Sequence, residues 1–369
     1  MVEVRPDAWV EVDRGALAHN YRLVAERAGA GVDVMAVVKG NGYGHGAVGA
    51  ALAFEAAGAR WIGVSRLSEA AALRSAGVGT RVLVLTPIEA ANAAAARELS
   101  VDCTVTCAED VAALASGRPS GAEPLALHLK IDVGMGRLGA LPAEVGVVAS
   151  AVGGTPGLRL EGVYAHLPNA AEADLPLCRS QLKLFGSLVG AVQAASSGTV
   201  QVHVLNSAGL MLFPESRYTM VRVGTLLYGQ SPSPAAPRLP DLRRTWALKA
   251  RVLQVRQLPR GARVGYGGEW TARRPTRTAV LPLGFGDGFT LAPIGPVMRR
   301  SPLRFAMDRW RRSLHVLFDG KPAQVLGRVA MNMVVADVTD LPEVVAGSIA
   351  EAPCLRVPTS ALLPRVYLG

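Results

Sequence analysis

One lysine of the chain lies in a setting that suits covalent chemistry. Lys39 follows the apolar residues 35–38 and precedes a loop, residues 40–46, that contains four glycines. Apolar neighbours withdraw water from an amine, which lowers its pKa and lets it form a Schiff base with a carbonyl group. The glycines let the backbone approach a bound group closely, and the Tyr43 hydroxyl could contact a phosphate. A surface lysine fits the same pattern, so this loop alone leaves both interpretations open.

Further polar residues stand where short β-branched runs of the sequence end. They are Lys130, Asp132, Arg137, His166, Asn206, Ser207 and Arg222. Taken singly, each has an ordinary structural explanation. Most could be turn or cap residues, His166 could be a hydrogen-bonded core histidine, and Lys130 could be a surface amine. Their shared position at the ends of successive runs favours a functional interpretation.

The elements that carry these residues alternate regularly. Eight β-branched runs occur at 34–39, 61–64, 82–85, 101–105, 126–132, 160–166, 200–205 and 220–222. Ala- and Leu-rich stretches with helical spacing lie between them, at 15–28, 47–57, 68–75, 107–115 and 176–195. Eight strands that alternate with helices predict an α/β fold, a closed (β/α)8 barrel of the TIM type.

A barrel of this type gathers its reactive groups at the carboxyl ends of the strands. The loops after the seventh and eighth strands often form a phosphate site there. Ser207 follows the seventh run, and Gly224 and Thr225 follow the eighth. The sequence therefore predicts a single site with a phosphate-binding side.

The pattern changes after a Pro- and Ser-rich stretch at 231–240. Alternating runs separated by Gly and Pro follow, at 248–255, 278–283, 323–326 and 334–338. We therefore expect the barrel over residues 12–235 and a mostly β domain over 240–369. Residues 8–12 also alternate, so residues 1–11 are expected to join the β domain.

Composition excludes some classes of protein and leaves others open. The 39 Lys and Arg against 29 Asp and Glu give a net charge of +10, which would suit nucleic acid. The basic residues are scattered, however, and the dense stretch 299–312 fits a solvated loop better, so we expect no nucleic-acid partner. The four cysteines lack zinc spacing, which predicts no metal site. No signal peptide or membrane span is evident, which favours the cytoplasm.

Several blocks in fixed order resemble a known family. The first is 37–46, with the sequence VVKGNGYGHG, in which glycine occupies two places where alanine is commoner. The others are 130–139, 206–208, 221–229, 265–267, 284–288 and 327–332. Together they resemble the alanine racemases, pyridoxal-phosphate-dependent enzymes of fold type III, across nearly the whole chain.

The resemblance implies how pyridoxal 5'-phosphate is held. Lys39 would bind it covalently, and the phosphate would be held by Tyr43, Ser207, Gly224 and Thr225. Arg222 would face the pyridine nitrogen, and His166 would also belong to the cofactor-binding residues. Because a guanidinium does not readily give up its proton, that nitrogen would stay unprotonated, and the weaker electron sink would disfavour side reactions.

The resemblance also implies a two-base reaction in a homodimer. Racemisation removes a proton from one face of the α-carbon and returns one to the other face, so two bases must flank it. Lys39 would serve one face, and Tyr266 from the β domain of the partner subunit the other. A free tyrosine has a pKa of about 10, so positive neighbours must lower it, and His166 and Arg222 are the candidates.

Four further residues would bind or support the substrate by the same resemblance. Arg137 and the backbone of Met331 would hold the carboxylate of a small amino acid. Lys130, in relatives often a carbamate, would orient Arg137, and Asn206 would support the site. The implied function is conversion of L-alanine to D-alanine for cell-wall peptidoglycan.

The family pattern is broken at three places. Asn332 replaces a common aspartate, Phe285 replaces a common tyrosine, and the region after Val345 is short. The usual tyrosine of that region has no clear counterpart near 352–354, which leaves a serine or broad-specificity racemase open. A non-catalytic pyridoxal-phosphate carrier, which would lack the β domain, and a decarboxylase of similar architecture also stay open.

Overall fold

The structure, a computed structural model, describes residues 5–115, 123–172, 174–196, 198–290 and 314–369. The basic stretch 299–312 lies outside the described residues. The chain divides into two compact units. The barrel unit is Arg14–Thr245, and the β unit is Trp246–Leu368 together with the N-terminal segment that ends at Asp13.

The barrel unit is built on eight parallel strands, and all eight predicted strands are confirmed. They are β2 (Asp33–Val37), β3 (Trp61–Val64), β4 (Arg81–Val84), β5 (Asp102–Val105), β6 (Leu125–Ile131), β7 (Leu158–Ala165), β8 (Gln201–His203) and β9 (Met220–Val223). Their order is β8-β7-β6-β5-β4-β3-β2-β9. The two end strands are joined by backbone hydrogen bonds from Thr219 to Val202, at 3.2 Å, and from Arg222 to Leu205, at 2.9 Å. These bonds close the sheet into the predicted TIM-type barrel.

Helices connect the barrel strands. They are α1 (Arg14–Ala28), α3 (Ala47–Ala56), α4 (Leu67–Ser75), α5 (Ala93–Glu98), α6 (Ala108–Ala115), α7 (Val145–Gly154), α8 (Leu175–Ala194) and α9 (Ser207–Leu212), while α2 (Lys39–Tyr43) is a single turn of left-handed backbone. Five of them agree with the helical spacing of the sequence, whereas α5, α7 and α9 were not predicted. In α7 the buried residues Val145, Val148, Ala149 and Val152 keep helical spacing. The β-branched and glycine content of α7 hides that spacing, because both residue types disfavour helix.

Within the described residues, the β unit contains the N-terminal strand and ten later strands. They are β1 (Ala8–Asp13), β10 (Trp246–Arg251), β11 (Gln254–Leu258), β12 (Arg263–Val264), β13 (Trp270–Thr271), β14 (Thr276–Leu281), β15 (His315–Phe318), β16 (Lys321–Leu326), β17 (Val334–Asp337), β18 (Ile349–Glu351) and β19 (Arg365–Leu368). Nine of them form one sheet in the order β11-β14-β17-β16-β15-β18-β10-β1-β19, and β12 pairs with β13. Strand β1 pairs antiparallel with β10 and parallel with β19.

The barrel core contains polar side chains among the apolar ones. Alternate residues of a barrel strand point inward, where Val, Ile and Leu usually fill the layers. Here Thr104, His128, Tyr164, His203 and Arg222 are all buried. Polar groups at such depth must be hydrogen-bonded to be tolerated, so they indicate a network rather than plain packing.

Candidate active site

The barrel unit contains a cavity of about 250 Å³ at the carboxyl ends of its strands. Eight predicted site residues line it: Lys39, Tyr43, His166, Asn206, Ser207, Arg222, Gly224 and Thr225. The apolar side chains of Val37, Leu85, Ala171 and Ala208 also contribute to its lining. The cavity thus brings a lysine, an arginine and several hydroxyl and backbone N–H groups around one small space.

A left-handed turn directs the lysine and the tyrosine of the first loop. Strand β2 ends at Val37, and the backbone then has φ values of 62° at Gly40, 54° at Asn41 and 61° at Gly42. A Cβ atom at Gly42 would lie 3.2 Å from the backbone nitrogen of Ala47, so glycine is needed there for space as well as for conformation. Tyr43 itself has a φ of 53°, a strained value held at the edge of the cavity.

Two arginines and one glutamate act on the charge of the Lys39 amine. Loss of solvation within the barrel, and then the charges of Arg137 and Arg222, lower the pKa of Lys39, while Glu69 acts in the opposite direction. Glu69 also accepts a hydrogen bond from the backbone nitrogen of Gly40 at 2.9 Å, which holds the loop. A lysine with a lowered pKa has a larger neutral fraction, so it is a better nucleophile and base near neutral pH.

Arg222 is buried, and three of its five N–H donors have partners within the barrel. Nη1 donates to the Nδ1 atom of His203 at 3.0 Å and to the His203 carbonyl at 2.7 Å, and Nη2 donates to the Ala165 carbonyl at 2.5 Å. The guanidinium lies 4.9 Å from the Tyr164 ring centroid. Burial lowers the pKa of Arg222 to about 10, so it remains a cation at neutral pH.

Hydroxyl and backbone N–H groups meet at another part of the cavity. Ser207, the first residue of α9, accepts a hydrogen bond from the backbone nitrogen of Gly224 at 3.2 Å. A Cβ atom at Gly224 would lie 2.4 Å from the Tyr43 hydroxyl, so only glycine permits that approach. Asn206 caps α9 by accepting from Gly209 at 2.9 Å. This cluster has the donors that a phosphate group requires.

Lys130 and Arg137 lie near the cavity without lining it. Lys130 is buried, so the simple interpretation as a surface amine is wrong. Burial, and then the charges of Arg137, Arg222 and Lys39, lower the pKa of Lys130 to about 8, against an opposing contribution from Asp132. The loop that carries the exposed Arg137 is fixed by the Asp132 carboxylate, which accepts four backbone hydrogen bonds from residues 134–137 at 2.7–3.3 Å.

One electrostatic expectation is wrong. The sequence placed His166 among the positive groups that would lower the pKa of Tyr266. Burial, and then the charges of Arg222, Lys39 and other cations, lower the pKa of His166 to about 3. The imidazole is therefore neutral at neutral pH, which leaves Arg222 as the positive candidate of the two.

The remaining predicted residues belong to the β unit, where they lie on exposed turns. Tyr266 begins the 3₁₀ turn Tyr266–Gly268 and is 69% exposed, and Met331 is 64% exposed. Phe285, in the turn Phe285–Asp287, is 45% exposed. Backbone hydrogen bonds join the turn Phe285–Asp287 to the segment that contains Met331. The Phe285 nitrogen donates to the Ala330 carbonyl at 3.1 Å, and the Gly286 nitrogen donates to the Met331 carbonyl at 2.7 Å. The β unit therefore presents apolar side chains on loops held together by their backbones.

Three polar residues of the barrel core were not predicted from the sequence. Asp102, His128 and His203 are buried and hydrogen-bonded in a row that reaches Arg222. The available signal was their position inside β-branched runs, where an ionisable residue is unusual. The predicted site residues were those at the ends of the β-branched runs, whereas these three residues lie inside the runs.

Comparisons with known proteins agree along the whole chain. The family model of the alanine racemase N-terminal domain matches residues 12–232, and that of the C-terminal domain matches residues 245–352. An alanine racemase of Desulforamulus reducens is 35% identical over 98% of this chain and 99% of its own length. The structure of the alanine racemase from Bacillus anthracis with bound L-Ala-P is 28% identical, with a TM-score of 0.84 over 100% of this chain and 96% of that one.

Another structure with a similar fold contains pyridoxal phosphate in its own protein. Alanine racemase from Bartonella henselae with covalently bound pyridoxal phosphate has a TM-score of 0.80, at 22% identity over 99% of this chain and 100% of that one.

Among the described residues, no helix is long and apolar enough to cross a membrane. In the same part of the chain, no group of three or more His, Cys, Asp or Glu side chains is arranged to hold a metal ion.

Proposed function

The chain belongs to the alanine racemase family, and from that premise we propose which of its residues carry the reaction. The reaction is the interconversion of L- and D-alanine, and the cofactor is pyridoxal 5'-phosphate. The observation that carries the assignment of roles is the barrel cavity, in which Lys39, Arg222 and the Ser207–Gly224 pair surround one space.

The residues present fit this cofactor. Tyr43, Ser207 and the backbone of Gly224 and Thr225 would hold its phosphate, and Gly224 leaves the space that the Tyr43 hydroxyl occupies. The neutral fraction of Lys39 would bind its carbonyl carbon covalently. When bound, the cofactor supplies an electron sink for the negative charge that develops at the α-carbon.

Arg222 would set how strong that sink is. A guanidinium has donors and no acceptor, so it can donate to a ring nitrogen only if that nitrogen is unprotonated. Three of its five N–H donors are held by His203 and Ala165, which fixes the plane of the guanidinium and thus the direction of the two remaining N–H groups. This arrangement favours a short-lived carbanion and thus racemisation over transamination.

The two bases would come from two copies of the chain. Lys39 serves one face of the α-carbon, and the partner subunit's Tyr266 serves the other. Support comes from the exposure of Tyr266 and Met331 on the β unit, together with Phe285, since a cluster of exposed apolar side chains is typical of an interface. We therefore propose a homodimer with shared active sites.

Arg137 and the backbone of Met331 would bind the substrate carboxylate, and neutral His166 would contribute a hydrogen bond beside the cofactor. Arg137 suits this role because its loop is fixed by Asp132 while its guanidinium stays exposed. Lys130 would orient Arg137. Its pKa of about 8 leaves a substantial neutral fraction, which is the form that reacts with carbon dioxide to give a carbamate.

The remaining expectations complete the proposal. Alanine is the substrate in the names of the similar proteins, and the D-alanine formed would supply peptidoglycan in the cytoplasm. The barrel would span residues 12–235 and the β domain 240–369 with residues 1–11, close to the two compact units.

The test is chemical. Purified protein is incubated with single enantiomers of alanine, serine, lysine or glutamate, with and without added pyridoxal phosphate, and the products are separated chirally. Alanine should be racemised fastest, and activity should disappear when the cofactor is removed. Faster turnover of serine would contradict the substrate assignment, and racemisation that is independent of the cofactor would contradict the mechanism.

A further inference from the structure

A row of buried polar side chains leads from the cavity through the barrel core. Arg222 donates from Nη1 to the Nδ1 atom of His203 at 3.0 Å. The Nε2 atom of His203 lies 3.0 Å from Nδ1 of His128, and Nε2 of His128 lies 2.9 Å from a carboxylate oxygen of Asp102. Each of the four residues is at most 5% exposed. Four ionisable groups at this depth are costly, so their alignment calls for an explanation.

The chemistry of the groups fixes the direction of every hydrogen bond. A guanidinium only donates, so Nδ1 of His203 must accept. A neutral imidazole then has its proton on Nε2, from which His203 donates to His128. By the same rule His128 donates from Nε2 to Asp102. Burial, and then the nearby Arg222 charge, lower the pKa of His203 far below its usual range, in agreement with a neutral ring.

The far end of the row is a fixed negative charge. Arg81 donates to the two oxygens of Asp102 at 3.0 and 2.8 Å and also pairs with Glu161 at 2.8 Å. Burial tends to raise the pKa of Asp102, but the hydrogen bonds and charges of His128 and Arg81 outweigh it and lower the pKa. Asp102 is therefore an acceptor only, and it cannot reverse the direction of the row.

The surrounding strands are shaped to admit the two imidazoles. A Cβ atom at position 162 would lie 2.1 Å from Nδ1 of His128, so the glycine of β7 opens the space for that ring. The pairing of β6 with β7 shifts register beside His128. The His203 ring stacks on Tyr164, with centroids 4.9 Å apart and planes at 12°. Both rings are therefore held in one orientation.

We propose that Asp102 and His128 are positioning residues for the reaction, which act through the His203 tautomer on Arg222. If His203 had its proton on Nδ1, that N–H would face the Arg222 donor, and the guanidinium would have to leave the position from which we propose that it would contact the cofactor. The Asp102 carboxylate excludes that tautomer by requiring a proton on Nε2 of His128. This inference rests on the role proposed above for Arg222.

The direct test is the proton position on each ring. The chain has only six histidines, so ¹⁵N-histidine labelling and long-range ¹H–¹⁵N NMR of the holoenzyme can resolve them. Signals are assigned with His128→Gln and His203→Gln. We expect both His128 and His203 to have an unprotonated Nδ1 and a protonated Nε2 at every pH value near neutral. A protonated Nδ1 on His203 would overturn the proposal, and this measurement on the unaltered protein requires no variant to fold.

Asp102→Asn adds a kinetic readout. The amide can turn its NH2 group toward His128, which would reverse or mix the tautomers of both rings. We expect kcat to fall by about 10- to 100-fold, because a hydrogen bond to a charged group contributes about 1.5–3 kcal/mol and each 1.4 kcal/mol is a factor of ten. KM for alanine should change little, since Asp102 and His128 lie in the barrel core and are not proposed to contact the substrate.

Glu161→Gln is the matched control. It removes the other carboxylate that pairs with Arg81 and the same unit of charge, but it leaves the row itself intact. Its tautomers and kcat should stay at the level of the unaltered protein. Equal losses in both variants, or unchanged tautomers and kcat in Asp102→Asn, would refute the positioning role. If the unaltered protein has the expected tautomers but no racemase activity, the role proposed for Arg222 is refuted instead.

Discussion

The barrel cavity and the exposed turns of the β unit hold their polar groups in opposite ways. In the cavity Arg222 is buried, and three hydrogen bonds to the barrel fix the plane of its guanidinium. On the β unit Tyr266 and Met331 are mostly exposed and depend on backbone turns for their position. Hydrogen bonds within the chain therefore fix the part of the site that we propose for the cofactor. The part that we propose for the second base would be completed by a partner subunit.

The largest expected effect tests the barrel half. Lys39→Ala should abolish the covalent link to pyridoxal phosphate and lower racemase activity by at least about 10⁴-fold, since it removes both the attachment and one base. Borohydride treatment followed by mass spectrometry measures the link. A reducible lysine adduct that persists in this variant would rule out Lys39.

Tyr266→Phe tests the other half and should lower racemisation by about 10²–10⁴-fold, the usual cost of a lost general base. The cofactor spectrum should not change, because the barrel residues that bind the cofactor are untouched. Exchange of the α-hydrogen with heavy water, followed by NMR, should slow much more for L-alanine than for D-alanine. Equal slowing for both enantiomers would contradict the assignment of one base to each face.

Mixing the two inactive variants tests whether the halves come from different subunits. A heterodimer of Lys39→Ala with Tyr266→Phe has one site with both native residues, so random exchange should restore about a quarter of native activity. Subunit exchange is verified by native mass spectrometry of the mixture. If exchange is complete and activity stays absent, each site is formed within a single chain.

The smallest expected effect concerns charge around Lys39. The cofactor-free protein should bind pyridoxal phosphate at a rate that rises with pH, because only the neutral amine reacts, and the midpoint should lie below the usual lysine value of 10.5. Arg137→Met removes one of the cations that lower this pKa, so the midpoint should move to higher pH. Stopped-flow absorbance measures it, with Arg274→Met, a surface arginine of the β unit, as the control. A midpoint that moves down in Arg137→Met would contradict the electrostatic account.

The sequence was most informative where local pattern and tertiary role coincide. The eight barrel strands follow from β-branched runs, and the cavity follows from the polar residues at their ends. Helix α7 was missed because its valines and glycines disfavour helix, while packing of Val145, Val148 and Val152 overrides that preference. The neutrality of His166 was equally out of reach, since it depends on how many cations the fold brings around one ring.

The row from Arg222 to Asp102 shows a second limit of the sequence. Its members come from strands β9, β8, β6 and β5, and their adjacency depends on which way each strand faces. Gly162 has no visible purpose in the sequence, and its role emerges only from the 2.1 Å that would separate its Cβ from His128. Sequence spacing identifies strand ends more readily than contacts across a closed barrel.

The pairing of β1 with β10 has a consequence for how the chain is made. Val10 pairs with Leu248, so the entire barrel is inserted between two neighbouring strands of one sheet. At about 5–20 residues per second, a ribosome leaves β1 without its partner for tens of seconds while the barrel is synthesised. Trp9, Val10 and Val12, which are buried in the finished sheet, lack that partner strand for this time. The N-terminal strand therefore completes its antiparallel pairing only after the barrel sequence has been synthesised.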